Sequence, residues 1–190
     1  LGERIPVIVA IAYDMVAVDA HPVRELDESY SAPSFVTEVS GLPEVAASLV
    51  GATRPLIVAG QGARHAQAQL HTLADRLGSV TATTAVAKGT FAGRDTDLGV
   101  CGGFAAPDSA ALIAEADVVL VVGAGLNQFT MAFGGAFGAD AHVIQVDAQP
   151  QPTNTRVDQH VQGDAVTVLD ELLALTSGAT PAADHSDWLE

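Results

Sequence analysis

The chain has 190 residues, 48% of them hydrophobic, which suits one domain with a full-sized core and some flanking sequence. Its 23 Asp and Glu against 8 Lys and Arg give a formal charge of −15, a balance that repels phosphate backbones and anionic lipid and argues against nucleic acid or membrane as the main partner. The acids are scattered among aliphatic runs, which excludes an acidic disordered chain. A lone Cys101 excludes an internal disulfide.

In chain order, the first feature is "IPVIVAI", Ile5 to Ile11, which reads as a buried strand. The run is short, follows an acid and leads into Tyr13-Asp14 rather than a small-residue cleavage site, so it is not a signal peptide. No stretch approaches the roughly 20 apolar residues of a membrane span, and the expected compartment is the cytoplasm. Residues 20–41 are polar and proline-punctuated, longer than most connections inside a compact domain, and read as a linker. A lone strand before a linker predicts that residues 1–19 end a preceding domain.

Pro43 suits a first helical turn, and Val45, Ala46, Leu49 and Val50 recur at helical spacing. Leu56 to Ala59 is an apolar strand. Ala66, Leu70, Leu73, Ala74 and Leu77 mark one face of a helix that Gly78 stops. "SVTATTA" is a second strand and "DLGV", Asp97 to Val100, a short third. Pro107-Asp108 opens a helix with Leu112, Ile113 and Ala116, and "DVVLVVG", Asp117 to Gly123, is the strongest strand. "HVIQVD" and "RVDQHV" are two more, and Gly163-Asp164 caps a helix with Val166, Leu169, Leu172 and Leu173 on one face. Beyond Leu175 a Gly/Pro/Ala-rich linker leads to a terminal "WLE", which points to a further domain. The pattern predicts an α/β fold: a doubly wound, about six-stranded parallel sheet of order 3-2-1-4-5-6, with helices on both faces in three layers.

Two glycine turns bear on chemistry. Gly60-Gln61-Gly62 follows a strand and precedes a helix, the context of a phosphate-cradling turn. The dinucleotide fingerprint then fails twice. Its third glycine would fall at His65, and the next strand ends without the acid that would bind ribose. Gly123-Ala124-Gly125 is a second turn, and the strand order brings it to the same crevice. Lys88, the only lysine, could pair with a phosphate or sit in water. Asp147 could accept from ribose hydroxyls or cap its own turn, and Asp164 reads most simply as a helix N-cap. Cys101 in "GVCGGF" reads as a buried thiol. No histidine spacing marks a metal site, no Gly-x-Ser-x-Gly elbow is present, and no residue is assigned a catalytic role.

Taken together, "RPLIVAGQGA", "TTAVAKGTF", "DLGVCGG", "ADVVLVVGAGLN", "HVIQVD" and "VQGDA" resemble the central domain of thiamine-diphosphate-dependent enzymes such as acetolactate synthase, pyruvate oxidase and benzoylformate decarboxylase. The resemblance covers residues 42–176. It implies that residues 1–19 end a pyrimidine-binding domain, and that 177–190 begin a linker to a pyrophosphate-binding domain. It further implies a full-length homodimer or homotetramer that binds thiamine diphosphate and Mg2+ through those flanking domains and acts on a 2-keto acid or related carbonyl compound. This segment itself would bind no coenzyme. In flavin-binding members the crevice carries FAD, or ADP in some relatives. By that match Gly60, Gln61, Gly62, Lys88, Gly102, Gly123, Asp147 and Asp164 would line the nucleotide. Those members carry an arginine and aspartates after the second turn. Here the run is Leu126-Asn127-Gln128-Phe129, which argues against flavin. The expectation is therefore a structural central domain, with a nucleotide site for FAD, ADP or CoA as the alternative. A stand-alone NAD-dependent deacylase is a remote third reading, since Gly123-Ala124-Gly125 looks like its turn but no zinc-binding cysteine pairs exist.

Overall fold

The computed structural model describes residues 8–19, 41–180 and 188. The chain forms two compact units, Leu1–Val36 and Thr37–Glu190. In the first unit, the described residues are open backbone with one 3-10 turn at Tyr13–Met15. The expected strand at Ile5 to Ile11 is not found over its described part. Ile8, Val9 and Ile11 are exposed, and no strand pairs with them among the described residues. An apolar run becomes a strand only when a neighbour takes up its N–H and C=O groups, which local sequence cannot supply. Residues 5–7 and nearly all of the predicted linker lie outside the described residues, as does the stretch 181–187.

The second unit is built on six parallel strands: β1 (Pro55–Ala59), β2 (Val80–Thr83), β3 (Asp97–Val100), β4 (Val118–Val122), β5 (His142–Asp147) and β6 (Gln159–Gln162). Their order is β3-β2-β1-β4-β5-β6, as the pattern predicts. The connections from β1 reverse direction at its junction with β4, where Pro55 to Ala59 lie in register with Val118 to Val122. Both central strands are buried along their whole length.

Alternation along these strands splits the core in two. Ile57, Ala59, Leu120, Val122, Ile144 and Val146 face one side. There they meet α1 (Leu42–Gly51), α2 (Gln67–Leu77) and α4 (Ala165–Leu175). Leu56, Val58, Val119, Val121 and Val143 face the other side, against which α3 (Pro107–Ala114) packs. The rest of that second side is covered by the irregular stretch 124–141 and by Trp188. Helices thus cover both faces, but unequally. The β4–β5 connection contains five glycines between positions 123 and 138, a composition that disfavours a helix, and only a 3-10 turn at Ala132–Gly134 forms in it. On α4 the buried face is Ala165, Val168, Leu169 and Leu172; Val166 and Leu173 pack at its margin. Among the described residues, no helix is long and apolar enough to cross a membrane.

Candidate functional site

The crevice at the carboxyl ends of β1 and β4 is built from the two glycine turns, and they touch. The Gly60 N–H donates to Val122 O at 2.9 Å, and the Gly62 N–H donates to Gly123 O at 2.8 Å. A Cβ on Gly60 would lie 2.3 Å from Gly123 O and 2.4 Å from Ala124 Cβ. One on Gly123 would lie 2.5 Å from Ala63 N and from the Gly62 carbonyl carbon. Gly123 also has φ +60. These glycines permit two backbones to pack without side chains between them. Gly125, by contrast, has open space where its Cβ would be.

The first turn does not open α2 directly. A 3-10 turn, Gln61–Ala63, intervenes, and α2 starts at Gln67 with no side-chain cap. The helix N-terminus is therefore set back from the glycines, whereas an anion site of this type places the two together. The exposed Gln61 amide, oriented to suit its neighbours, donates to Val86 O at 3.3 Å and accepts from the Arg64 guanidinium at 3.0 Å. Arg64 also donates to His65 Nε2 at 2.9 Å. It is the cation that touches the first turn, and the sequence reading passed it over although it stands two residues after Gly62. Lys88, beyond β2, is exposed and forms no ion pair with the described residues.

The two predicted aspartates serve their own backbone. Asp147, at the end of β5, accepts from the Gln149 N–H at 3.0 Å, the turn-capping option of its two readings. Asp164 accepts from Val166 N–H at 3.0 Å and Thr167 N–H at 3.2 Å, and so caps α4. The Gly163 N–H donates to Asp147 O at 2.9 Å and ties the two turns together. Gly102, φ +78, presses on a different loop: a Cβ there would lie 2.2 Å from Phe129 O. Of the eight predicted residues, only Gly60, Gly62 and Gly123 are seen in direct contact with one another.

A polar brace behind the second turn was not legible in the sequence. Gln145 is fully buried in β5, where alternation predicts an apolar residue. Its amide donates to Ala124 O at 3.0 Å and Thr153 Oγ1 at 2.6 Å, and its oxygen accepts from Thr153 N–H at 2.9 Å. Thr153 Oγ1 in turn accepts from Leu126 N–H at 2.9 Å, and Asn154 donates to Leu126 O at 2.9 Å. The signal, in hindsight, is a glutamine in an otherwise aliphatic strand.

Beside the crevice, past the ends of β2 and β3, lies a cavity of about 230 Å³. Val86, Cys101, Phe104, Asn127, Phe129 and Thr130 are among the residues that line it. Burial pushes the Cys101 thiol up to about 11, so it stays neutral at pH 7, as a buried structural thiol does.

Comparison with known proteins places this geometry. Residues 42–172 match the family described as thiamine pyrophosphate enzyme, central domain. A probable acetolactate synthase large subunit of Methanocaldococcus jannaschii is 26% identical over 92% of this chain and 30% of its own length. Pyruvate oxidase of Lactiplantibacillus plantarum is 34% identical over 77% of this chain and 26% of its own length. The large subunit of Escherichia coli acetolactate synthase isozyme 1 is 28% identical over 83% and 28%. A solved structure of a Mycobacterium smegmatis protein shares the fold with a TM-score of 0.62 at 19% identity, over 81% of this chain and 30% of that one. This chain spans no more than 30% of the length of the curated relatives it matches. With the six-stranded order, the two glycine turns and a family match over residues 42–172, the chain belongs to the thiamine pyrophosphate enzyme central-domain family.

Proposed function

We propose that this chain is the non-catalytic central domain of a thiamine-diphosphate-dependent enzyme acting on a 2-keto acid or related carbonyl substrate, and that its glycine crevice is a structural joint. One observation carries the reading: the N–H groups of Gly60 and Gly62, which would otherwise face a pyrophosphate, donate to Val122 O and Gly123 O. A phosphate-cradling turn works because its N–H groups are free to point at the anion. Asp147 and Asp164 each already serve a backbone turn. The residues present therefore fit a dinucleotide poorly.

Thiamine diphosphate supplies an electron sink next to the substrate carbonyl when bound to such enzymes. Among the described residues no three His, Cys, Asp or Glu side chains are grouped to hold the accompanying Mg2+. The family match supports assigning coenzyme and metal to flanking domains in the same polypeptide, assembled as a homodimer or homotetramer. The central domain's part is to hold those domains at a fixed separation on a rigid sheet.

The test uses the full-length protein of the same reading frame. With thiamine diphosphate, Mg2+ and pyruvate it is expected to release CO2, whereas the 190-residue chain alone does not. Neither FAD nor ADP should raise the melting temperature of the full-length protein, and the purified protein should lack flavin absorbance. A clear upward shift with either nucleotide overturns the structural reading in favour of a nucleotide site.

A further inference from the structure

The side of the sheet that carries α3 ends in an exposed aromatic patch. Phe104, Phe129 and Phe133 are 67%, 57% and 73% exposed, and Val86 beside them is 74% exposed. The Phe104 and Phe129 rings stack with centroids 6.0 Å apart, and Phe133 tilts against Phe129 at 5.6 Å. The cavity that Phe104 and Phe129 border has no charged side chain in its lining. A contiguous apolar patch of this kind, in a chain of net charge −15, marks a surface made to be covered.

The patch is rigidly built. Asn127 Oδ1 accepts from the Phe129 and Thr130 N–H groups at 2.9 and 3.0 Å. The Gly103 N–H donates to Phe129 O at 2.7 Å, which locks the turn bearing Phe104 onto the loop bearing Phe129. The Phe133 N–H donates to Gln128 O at 2.7 Å. Ala132 and Phe133 sit at φ +45 and +57, the two non-glycine residues with positive φ among those described. Such a conformation is unfavourable for an aromatic residue, and here it holds a phenyl ring out in water.

We propose that this patch docks an uncharged, apolar surface of another domain of the same polypeptide. The proposal rests on the reading of this chain as one domain of a longer enzyme. The occupant follows from three observations. The chain matches a central domain and spans 26 to 30% of its curated relatives' length, so in such a protein most of the polypeptide lies outside it. The patch offers no cation to a phosphate or a lipid headgroup. Nor does its lining offer a carboxylate to a basic partner, which leaves an uncharged surface as the fitting occupant.

The experiment places p-benzoyl-phenylalanine at position 133 of the full-length protein, irradiates it and maps the adduct by mass spectrometry. The expected product has the mass of one polypeptide, joined to an apolar segment outside residues 37–190. A dimer-mass adduct assigns the patch to self-association and overturns the proposal. An adduct within residues 37–190 of the same polypeptide, or none, also overturns it. Hydroxyl-radical footprinting of the unsubstituted full-length protein reads the same surface without a substitution. There Phe129 and Phe133 should oxidise at least about fivefold more slowly than open phenylalanines, as expected for an interface core. Full reactivity overturns the docking. A reading frame that ends with these 190 residues would instead remove the domain reading itself. An extended frame with reactive phenyls would remove only the docking.

Discussion

At Gly60 and Gly125 the same residue type does opposite amounts of work. A Cβ on Gly60 has backbone oxygen at 2.3 Å, while Gly125 has nothing within 4 Å and no positive φ. Gly60→Ala is therefore expected to destabilise the chain by about 3 kcal/mol or more, and Gly125→Ala to shift stability by under about 1 kcal/mol, in urea unfolding followed by circular dichroism. Equal effects would remove the case for the first turn as a joint. Both glycines were visible in the sequence as parts of Gly-x-Gly turns. Which of them faces another backbone depends on residues some 60 positions apart meeting across β1 and β4, and spacing within a motif does not encode that. Asp164 is the converse case. Its role as a cap is a local hydrogen-bond pattern, so the residue type before an amphipathic run was enough to read it. Asp164→Ala should lower stability by roughly 1 kcal/mol, measured as a drop in urea midpoint at constant slope.

Among the elements, β1 and β4 were legible because an aliphatic run of strand length buried on both sides has few alternatives, and β2 and β5 because β-branched residues dominate them between turn signals. Of the edge strands, β3 was read to the residue as Asp97 to Val100, whereas β6, read as "RVDQHV", runs Gln159–Gln162 and is only partly buried. The β4–β5 connection was the least legible element. Its glycines exclude a helix, but the contacts that shape it come from Gly103, Thr153 and Gln145, all distant in sequence. Its strain gives a check. Ala132→Gly should stabilise the chain by about 0.5 to 1 kcal/mol, because glycine takes φ +45 without the Cβ penalty. A loss of stability in thermal unfolding would mean that the Ala132 methyl packs more usefully than its strain costs.

Over the whole molecule, Asp117, Asp158 and His160 are shifted in one direction, downward, and the buried Cys101 thiol in the other. Burial acts to raise the pKa of Asp117. It is outweighed by hydrogen bonds from the Thr53 hydroxyl and the Thr53 and Arg54 N–H groups, at 2.6, 2.7 and 2.9 Å, which hold the carboxyl below its ordinary value. Asp158 is lowered by the Val143 N–H and by Arg156, against a smaller opposing effect of burial. Burial lowers His160, with Asp147 opposing. A depressed folded pKa means that the unfolded chain binds the proton more readily. The stability from each group is present above its unfolded pKa and lost as pH falls through its folded one. Stability should therefore begin to fall below about pH 6.5, where His160 starts to differ, and fall further below about pH 4. Asp117→Asn should flatten the lower part of that limb and weaken the chain by roughly 1 to 2 kcal/mol at pH 7, since it replaces a charge-assisted acceptor that joins the start of β1 to the start of β4. An acid limb unchanged by the substitution would place the dependence elsewhere.

By itself the sequence determined the parallel sheet, its strand order and the family, because those depend on hydrophobic period and on the order of short motifs along the chain. It also determined the N-cap at Asp164 and the burial of Cys101. Only the tertiary structure decided that the glycine turns close on each other, that Gln145 braces the second turn, and that three phenyl rings gather beside the crevice. Each of these depends on at least one contact between segments 20 or more residues apart. Its energy depends on distances of a few tenths of an ångström, which no local pattern records.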